Sequence, residues 1–139
     1  NYRAICSGET GHAEVVQVTF DAKIISYQDL LSIFMTSHDP TTLNRQGADR
    51  GTQYRSIILY HNDEQKQITE KVISNLQTHY DATIVTELTI LDKFYNGEIY
   101  HQNYFNNNEY AGYCQIVINP KIRKLKKMYA DRLKKETLV

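Results

Sequence analysis

"SIILYHNDEQKQITEKVISNLQTHYDATIVTELTI", residues 56–90, sets the class of the fold. Its first five residues are a short apolar run rich in strand formers, the pattern of a strand buried on both faces. Asn62 or Asp63 then offers a side-chain oxygen to cap a helix. Ile68, Val72, Ile73 and Leu76 follow at the three-and-four spacing of one apolar helix face, which runs to about Tyr80. The last nine residues, "ATIVTELTI" (82–90), return to β-branched strand character. Strand, helix and strand in succession point to a sheet covered by helices.

C-terminal to this unit, "FYNGEIYHQNYFNNNEYAGY" (94–113) is tyrosine-rich and carries no regular pattern beyond a short helical turn near His101. "CQIVI" (114–118) reads as a further strand. Pro120 then starts a basic helix expected over residues 121–136. Its cations Lys121, Arg123, Lys124, Lys126, Lys127, Arg132, Lys134 and Lys135 face one acid, Asp131, within residues 121–135. A charge run of this kind is first a solvated helix face.

N-terminal to residue 56, "TTLNRQGADRGTQYR" (41–55) is polar, holds two glycines and reads as a loop. Loops of that length are often functional. Ser26 can cap a helix carrying Leu30, Ile33 and Phe34, with Asp29 near the capping-box position. "HDP" (38–40) ends that helix. Residues 14–20 alternate as a half-buried strand, with Val16, Val18 and Phe20 on the more apolar face. Glu14 shares their parity, and an inward carboxylate is costly unless paired, hydrogen-bonded or protonated. The whole order suggests one two-layer α/β domain with a mixed sheet.

The 139 residues, 41% hydrophobic and 23% charged, fit a single domain with its own core. Zero formal net charge leaves no global field to recruit nucleic acid or an acidic membrane. No apolar run is long enough to span a bilayer and no basic-then-apolar leader opens the chain, so a cytoplasmic setting is the simplest expectation. Cys6 and Cys114 are too few for a disulfide framework or a four-cysteine zinc site, which leaves redox or nucleophilic thiol chemistry.

Three features stand out chemically: Glu14, the loop around Asp49 and Tyr54, and the tyrosine run ending at Cys114. A buried acid is commonly the structural partner of a cation, here His12 or Arg55, and less commonly a catalyst. Gly47, Gly51, Arg45, Arg50 and Arg55 could cradle a phosphate, but the Lys-Ser/Thr ending of a P-loop is absent. His12, His38 and His101 with Asp39 and Asp49 lack any strong metal-ligand spacing, which disfavours a metal-dependent hydrolase. Tyrosines are mostly core or interface, and a cysteine opening an apolar strand is mostly inert.

"NYRAICSGETGHAEVVQVTFD", "ISYQDLL", "HDPTTLNRQGADRGTQYRS", "VTEL", "KFYNGEIYHQNYF" and "YCQIVINPK" together resemble the A-type peptide methionine sulfoxide reductases, from Tyr2 to about Lys121. The resemblance implies a two-layer α+β sandwich with a mixed sheet on a ferredoxin-like core. It also implies reduction of the S epimer of methionine sulfoxide, free or in oxidised proteins under repair. Glu14, in "GHAE", matches the acid that protonates or hydrogen-bonds the sulfoxide oxygen, and Tyr2 and Tyr54 match two hydroxyls sharing that oxygen. Asp49 matches a carboxylate that orients them. Tyr104, Tyr113 and His101 match positions around the substrate. Cys114 matches a resolving cysteine, and Cys6 a buried structural one. No metal or organic cofactor is implied, thioredoxin is the expected reductant, and a monomer is expected.

In that family the nucleophile is a cysteine in a Gly-Cys-Phe-Trp motif upstream of the matched region. Neither the motif nor any tryptophan occurs here. The expectation is an N-terminally incomplete reductase domain. The alternative is a homologue without the nucleophile, which would only bind methionine sulfoxide peptides. Ala48, where the family often has Asn, and Asn96–Gly97, where Pro-Ala is common, are smaller departures.

Overall fold

The computed structural model of the chain describes residues 12–95 and 119–129. Two compact units divide the chain, Asn1–Asn96 and Gly97–Val139. The first is built on a helix, α1 (Tyr27–Ser37), and a strand–helix–strand unit of β3 (Ile57–Tyr60), α2 (Asp63–Gln77) and β4 (Glu87–Ile90). Between α1 and β3 lie two short strands, β1 (Arg45–Gln46) and β2 (Asp49–Arg50), and a 3₁₀ turn, Thr52–Tyr54.

Both helices begin where their side chains can replace missing backbone partners. The Ser26 hydroxyl accepts the Asp29 N–H at 3.0 Å, and the Asn62 side chain accepts the Gln65 N–H at 2.9 Å. Gln65 reaches back to accept the His61 N–H at 2.8 Å, much as a capping box does. Asp63 and Glu64 in the first turn of α2 suit its positive end. α1 stops at His38, two residues before Pro40, with the backbone extended there.

β3 and β4 pair in parallel, with Ile57 opposite Glu87 and Tyr60 opposite Ile90. A parallel pair needs a crossover, and α2 supplies it. Leu31 and Met35 of α1, Ile58 of β3 and Val72 of α2 form the buried core. Tyr27, Phe34, Ile68, Ile73, Leu76, Ile84 and Leu88 pack around them. The four apolar residues expected on α2 therefore all face the core or lie against it. Tyr27 Oη lies 3.3 Å from the hydroxyl of the fully buried Thr69, which joins the start of α1 to α2.

The structure corrects several sequence expectations. Only Ile58 of β3 is buried and its neighbours are half-buried, so the strand is not covered on both faces. "ATIVTELTI" is half strand. Its front is taken up by the loop, with the Val85 N–H donating to the Pro40 carbonyl at 2.8 Å and the Ile84 N–H to Gln77 Oε1 at 2.8 Å. The 41–55 stretch is more regular than a loop. β1 and β2 pair antiparallel, Gln46 opposite Asp49, around Gly47 at φ +57, where a two-residue hairpin turn favours glycine.

The largest correction concerns residues 14–20, which form no strand and are almost wholly exposed. Val16 is 83% and Val18 58% exposed, and Glu14 is exposed with them. Alternation becomes a strand only where a neighbour supplies ladder partners. Among the described residues the recorded backbone bond to this segment is a single one, from the Glu14 N–H. The expected inward acid is thus an outward one.

In the second unit a helix, α3 (Asn119–Met128), has Pro120 in its first turn, where a missing N–H costs little, and Lys126 and Lys127 in its last, at the negative end. Lys121, Arg123, Lys124 and Lys127 are exposed. The remainder of the expected 121–136 helix, the "CQIVI" strand and the turn near His101 lie outside the described residues. No helix among the described residues is long and apolar enough to cross a membrane.

Candidate active site

The polar stretch between α1 and β3 is held by side-chain amides. Gln46 brackets the peptide of Asp39, its Oε1 accepting the Asp39 N–H at 3.1 Å and its Nε2 donating to the Asp39 carbonyl at 2.6 Å. Through the Gln46–Asp49 pair, this fixes the strand that carries Asp49 to the end of α1. Gln53, 4% exposed, fills the interior of the following turn. Gly51 stands at φ +136, where a side chain is strained, and a Cβ there would also run into the Gln53 amide. The Gly51 N–H donates to the Asn44 carbonyl at 2.9 Å, and the Tyr54 N–H to the Gly51 carbonyl at 3.0 Å, so the turn bearing Tyr54 is closed on itself.

Glu14 joins this turn through the backbone. Its N–H donates to the Gln53 carbonyl at 2.8 Å, which sets the acid beside the residue that precedes Tyr54. Two residues earlier the His12 ring stacks on Tyr95, centroids 5.2 Å apart. The extended segment is thereby docked at two points. Asp49, in β2, and Tyr54, in the 3₁₀ turn, are half-buried. Tyr2, His101, Tyr104, Tyr113 and Cys114, with Cys6, lie outside the described residues.

The competing readings of these residues meet specific contacts. Arg55 pairs with Glu87, Nε to Oε2 at 2.8 Å, and its Nη1 donates to the Thr52 carbonyl at 2.8 Å, so this guanidinium is committed to joining the turn to β4. His12, Asp49 and His38 do not gather as a metal site, and among the described residues no group of three His, Cys, Asp or Glu could hold an ion. Gln46 and Gln53 escaped the sequence reading because an amide in a polar loop leaves no periodic signal.

Asp39 shows how the loop responds to charge. Its Oδ1 accepts both the Thr41 hydroxyl, at 2.5 Å, and the Thr41 N–H, at 2.9 Å. The hydroxyl first and the amide second hold the carboxyl below its ordinary value of 3.8, with the charges of His38 and Arg45 adding to them. A depressed folded-state value stabilises above the unfolded one and loses that contribution as pH falls through the folded one. Asp39→Asn is therefore expected to unfold at a lower temperature than wild type at neutral pH, with the gap closing below about pH 4. Unfolding midpoints taken across pH test this, and a gap that persists unchanged in strong acid contradicts it.

Comparison with known proteins places the chain in a family. The family model described as peptide methionine sulfoxide reductase matches residues 1–133. A peptide methionine sulfoxide reductase MsrA of Saccharolobus solfataricus is 51% identical over 133 residues, 96% of this chain and 75% of the relative. One from Leptospira borgpetersenii is 56% identical over 136 residues, 98% and 77% of the two chains. Among solved structures, reduced Mxr1 from Saccharomyces cerevisiae superimposes with a TM-score of 0.78 at 38% identity, over 81% of this chain and 62% of that one. Methionine sulfoxide reductase A of Corynebacterium diphtheriae gives 0.69 at 33% identity, over 79% and 57%. The chain thus spans about three quarters of the curated relatives and less than two thirds of the two solved chains. With a match this long and identity this high, the chain belongs to the A-type peptide methionine sulfoxide reductase family.

Proposed function

We propose that the full protein is a peptide-methionine (S)-S-oxide reductase that repairs oxidised methionine with thioredoxin as reductant. In this reading residues 1–139 are most of a single catalytic domain, an α+β sandwich with a mixed sheet on a ferredoxin-like core, acting as a cytoplasmic monomer. The observation that supports the site is the Glu14 N–H bond to the Gln53 carbonyl, which ties the backbone of Glu14 to the turn that carries Tyr54. Glu14 is exposed, so a sulfoxide on a protein surface can reach it.

The chemistry balances without metal or organic cofactor. A cysteine thiolate, supplied by a segment upstream of Asn1 as in the family motif, attacks the sulfoxide sulfur. Glu14 gives a proton to the oxygen, Tyr2 and Tyr54 hydrogen-bond it as charge develops, and Asp49 orients the group. Oxygen ends on the cysteine as a sulfenic acid and methionine leaves with sulfur reduced by two electrons. The Cys114 thiol then attacks the sulfenic sulfur, water leaves, and the disulfide passes to the thioredoxin dithiol. Tyr104, Tyr113 and His101 shape the substrate side of this site.

The test is turnover of the full-length protein on separated epimers, with wild type beside Tyr2→Phe, Tyr54→Phe and the double variant. The S epimer is expected to be reduced and the R epimer left. Each single variant is expected to lose roughly fivefold and the pair roughly thirtyfold, since each hydroxyl covers in part for the other. Equal reduction of both epimers, or a double variant as fast as wild type, overturns the reading.

A further inference from the structure

We propose that His38 is a positioning residue for the reductive step, acting through Ser56 on the placement of the Tyr54 hydroxyl; this rests on the role given to Tyr54 above. The His38 ring caps α1 and stacks on Phe34, centroids 4.2 Å apart. Its Nδ1 lies 2.7 Å from the Phe34 carbonyl, which can only accept, so Nδ1 carries the hydrogen. Its Nε2 lies 2.6 Å from the Ser56 hydroxyl, a hydrogen bond that joins the ring to the start of β3. Ser56 Oγ also lies 2.8 Å from the Thr86 hydroxyl, which donates to Met35 Sδ at 3.9 Å. A continuous chain of hydrogen bonds results, linking Thr86, Ser56, His38 and the Phe34 carbonyl.

Ser56 is the point where that chain meets the site. It is 5% exposed, and its own carbonyl accepts the Glu87 N–H at 2.9 Å, so side chain and backbone are both clamped. One extended residue, Arg55 at φ −64 and ψ 146, separates it from Tyr54. The other end of the turn is tied by Gly51 to Asn44 and by Gln53 to Glu14. A shift of Ser56 therefore has little slack to absorb it before it reaches Tyr54. Stability alone does not explain the pairing of the buried Ser56 hydroxyl with the half-buried His38 ring, because an apolar residue would fill the same space without polar groups to satisfy. What the chain adds is one fixed geometry.

Two amide substitutions separate the two ring nitrogens. Asn places its amide near the position of Nδ1 and loses the reach to Ser56, whereas Gln reaches the position of Nε2. In the full-length enzyme, His38→Asn is expected to slow single-turnover reduction of the S epimer about fivefold, with half-saturation within about twofold, the pattern of misplacement rather than lost binding. His38→Gln is expected to recover to within about twofold of wild type. In the Tyr54→Phe background, His38→Asn should cost less than about twofold more, because its target is gone. Ser56→Ala cuts the same bond from the other side, is expected to show the same loss, and carries the test if a His38 variant fails to fold.

Reduction within twofold of wild type in His38→Asn and Ser56→Ala overturns the proposal. So does a fivefold loss that persists undiminished on Tyr54→Phe, which would mark a general loosening of the fold. A Tyr54→Phe enzyme as fast as wild type would overturn the role of Tyr54 instead, and this proposal with it.

Discussion

Glu14→Gln in the full-length enzyme is expected to lower the rate of methionine formation by about a hundredfold or more at neutral pH, the scale of a positioned general acid. The amide keeps the shape and a hydrogen-bonding group but cannot release a proton to the departing oxygen. Glu14 is exposed and anchored through its backbone N–H, so the substitution leaves the bond to Gln53 intact and should not disturb the core. The loss should therefore fall on the rate constant rather than on stability, which unfolding midpoints of the two proteins can verify. A loss smaller than about threefold would remove Glu14 from the proton-donor role.

Cys114→Ser is expected to separate two halves of the cycle. The first reductive step needs only the nucleophile and Glu14, so about one methionine per enzyme should still form. Thioredoxin-driven turnover should collapse, because a dithiol exchanges with a disulfide and the serine variant cannot form one with the sulfenic acid. Cys6→Ser should change neither quantity and lower stability by on the order of 1 kcal/mol. Normal turnover in Cys114→Ser would show that another thiol resolves the intermediate.

What the sequence made legible was local. Ser26 and Asn62 cap their helices, because a cap and the N–H that donates to it lie three residues apart and need no distant partner. The apolar stripe of α2 was readable for the same reason. The alternation at residues 14–20 was misleading because strand pairing is a long-range event, and parity says nothing about whether a neighbour arrives. Half of "ATIVTELTI" went to Pro40 and Gln77, contacts that no window of sequence displays.

The same limit shaped the reading of the site. Parity singled out Glu14 as a buried acid, and the structure leaves it exposed, so the argument from burial falls. Its role rests on the "GHAE" resemblance and on its seat beside Gln53. Asp49 and Tyr54 were legible only through the family pattern, since neither hairpin residues nor a 3₁₀ turn produce a period. His38 stood out in the sequence as a weak metal candidate. Both of its ring nitrogens are in fact used within the fold, by Phe34 and Ser56.

Reduced full-length protein mixed with the S epimer of a methionine sulfoxide peptide, without any external reductant, tests the chemistry most directly. Methionine and free thiols are counted together after one turnover. The account expects about one methionine per enzyme and the loss of two thiols, matching one sulfur reduced by two electrons and one disulfide formed. No methionine, or methionine formed with the thiol count unchanged, would contradict it.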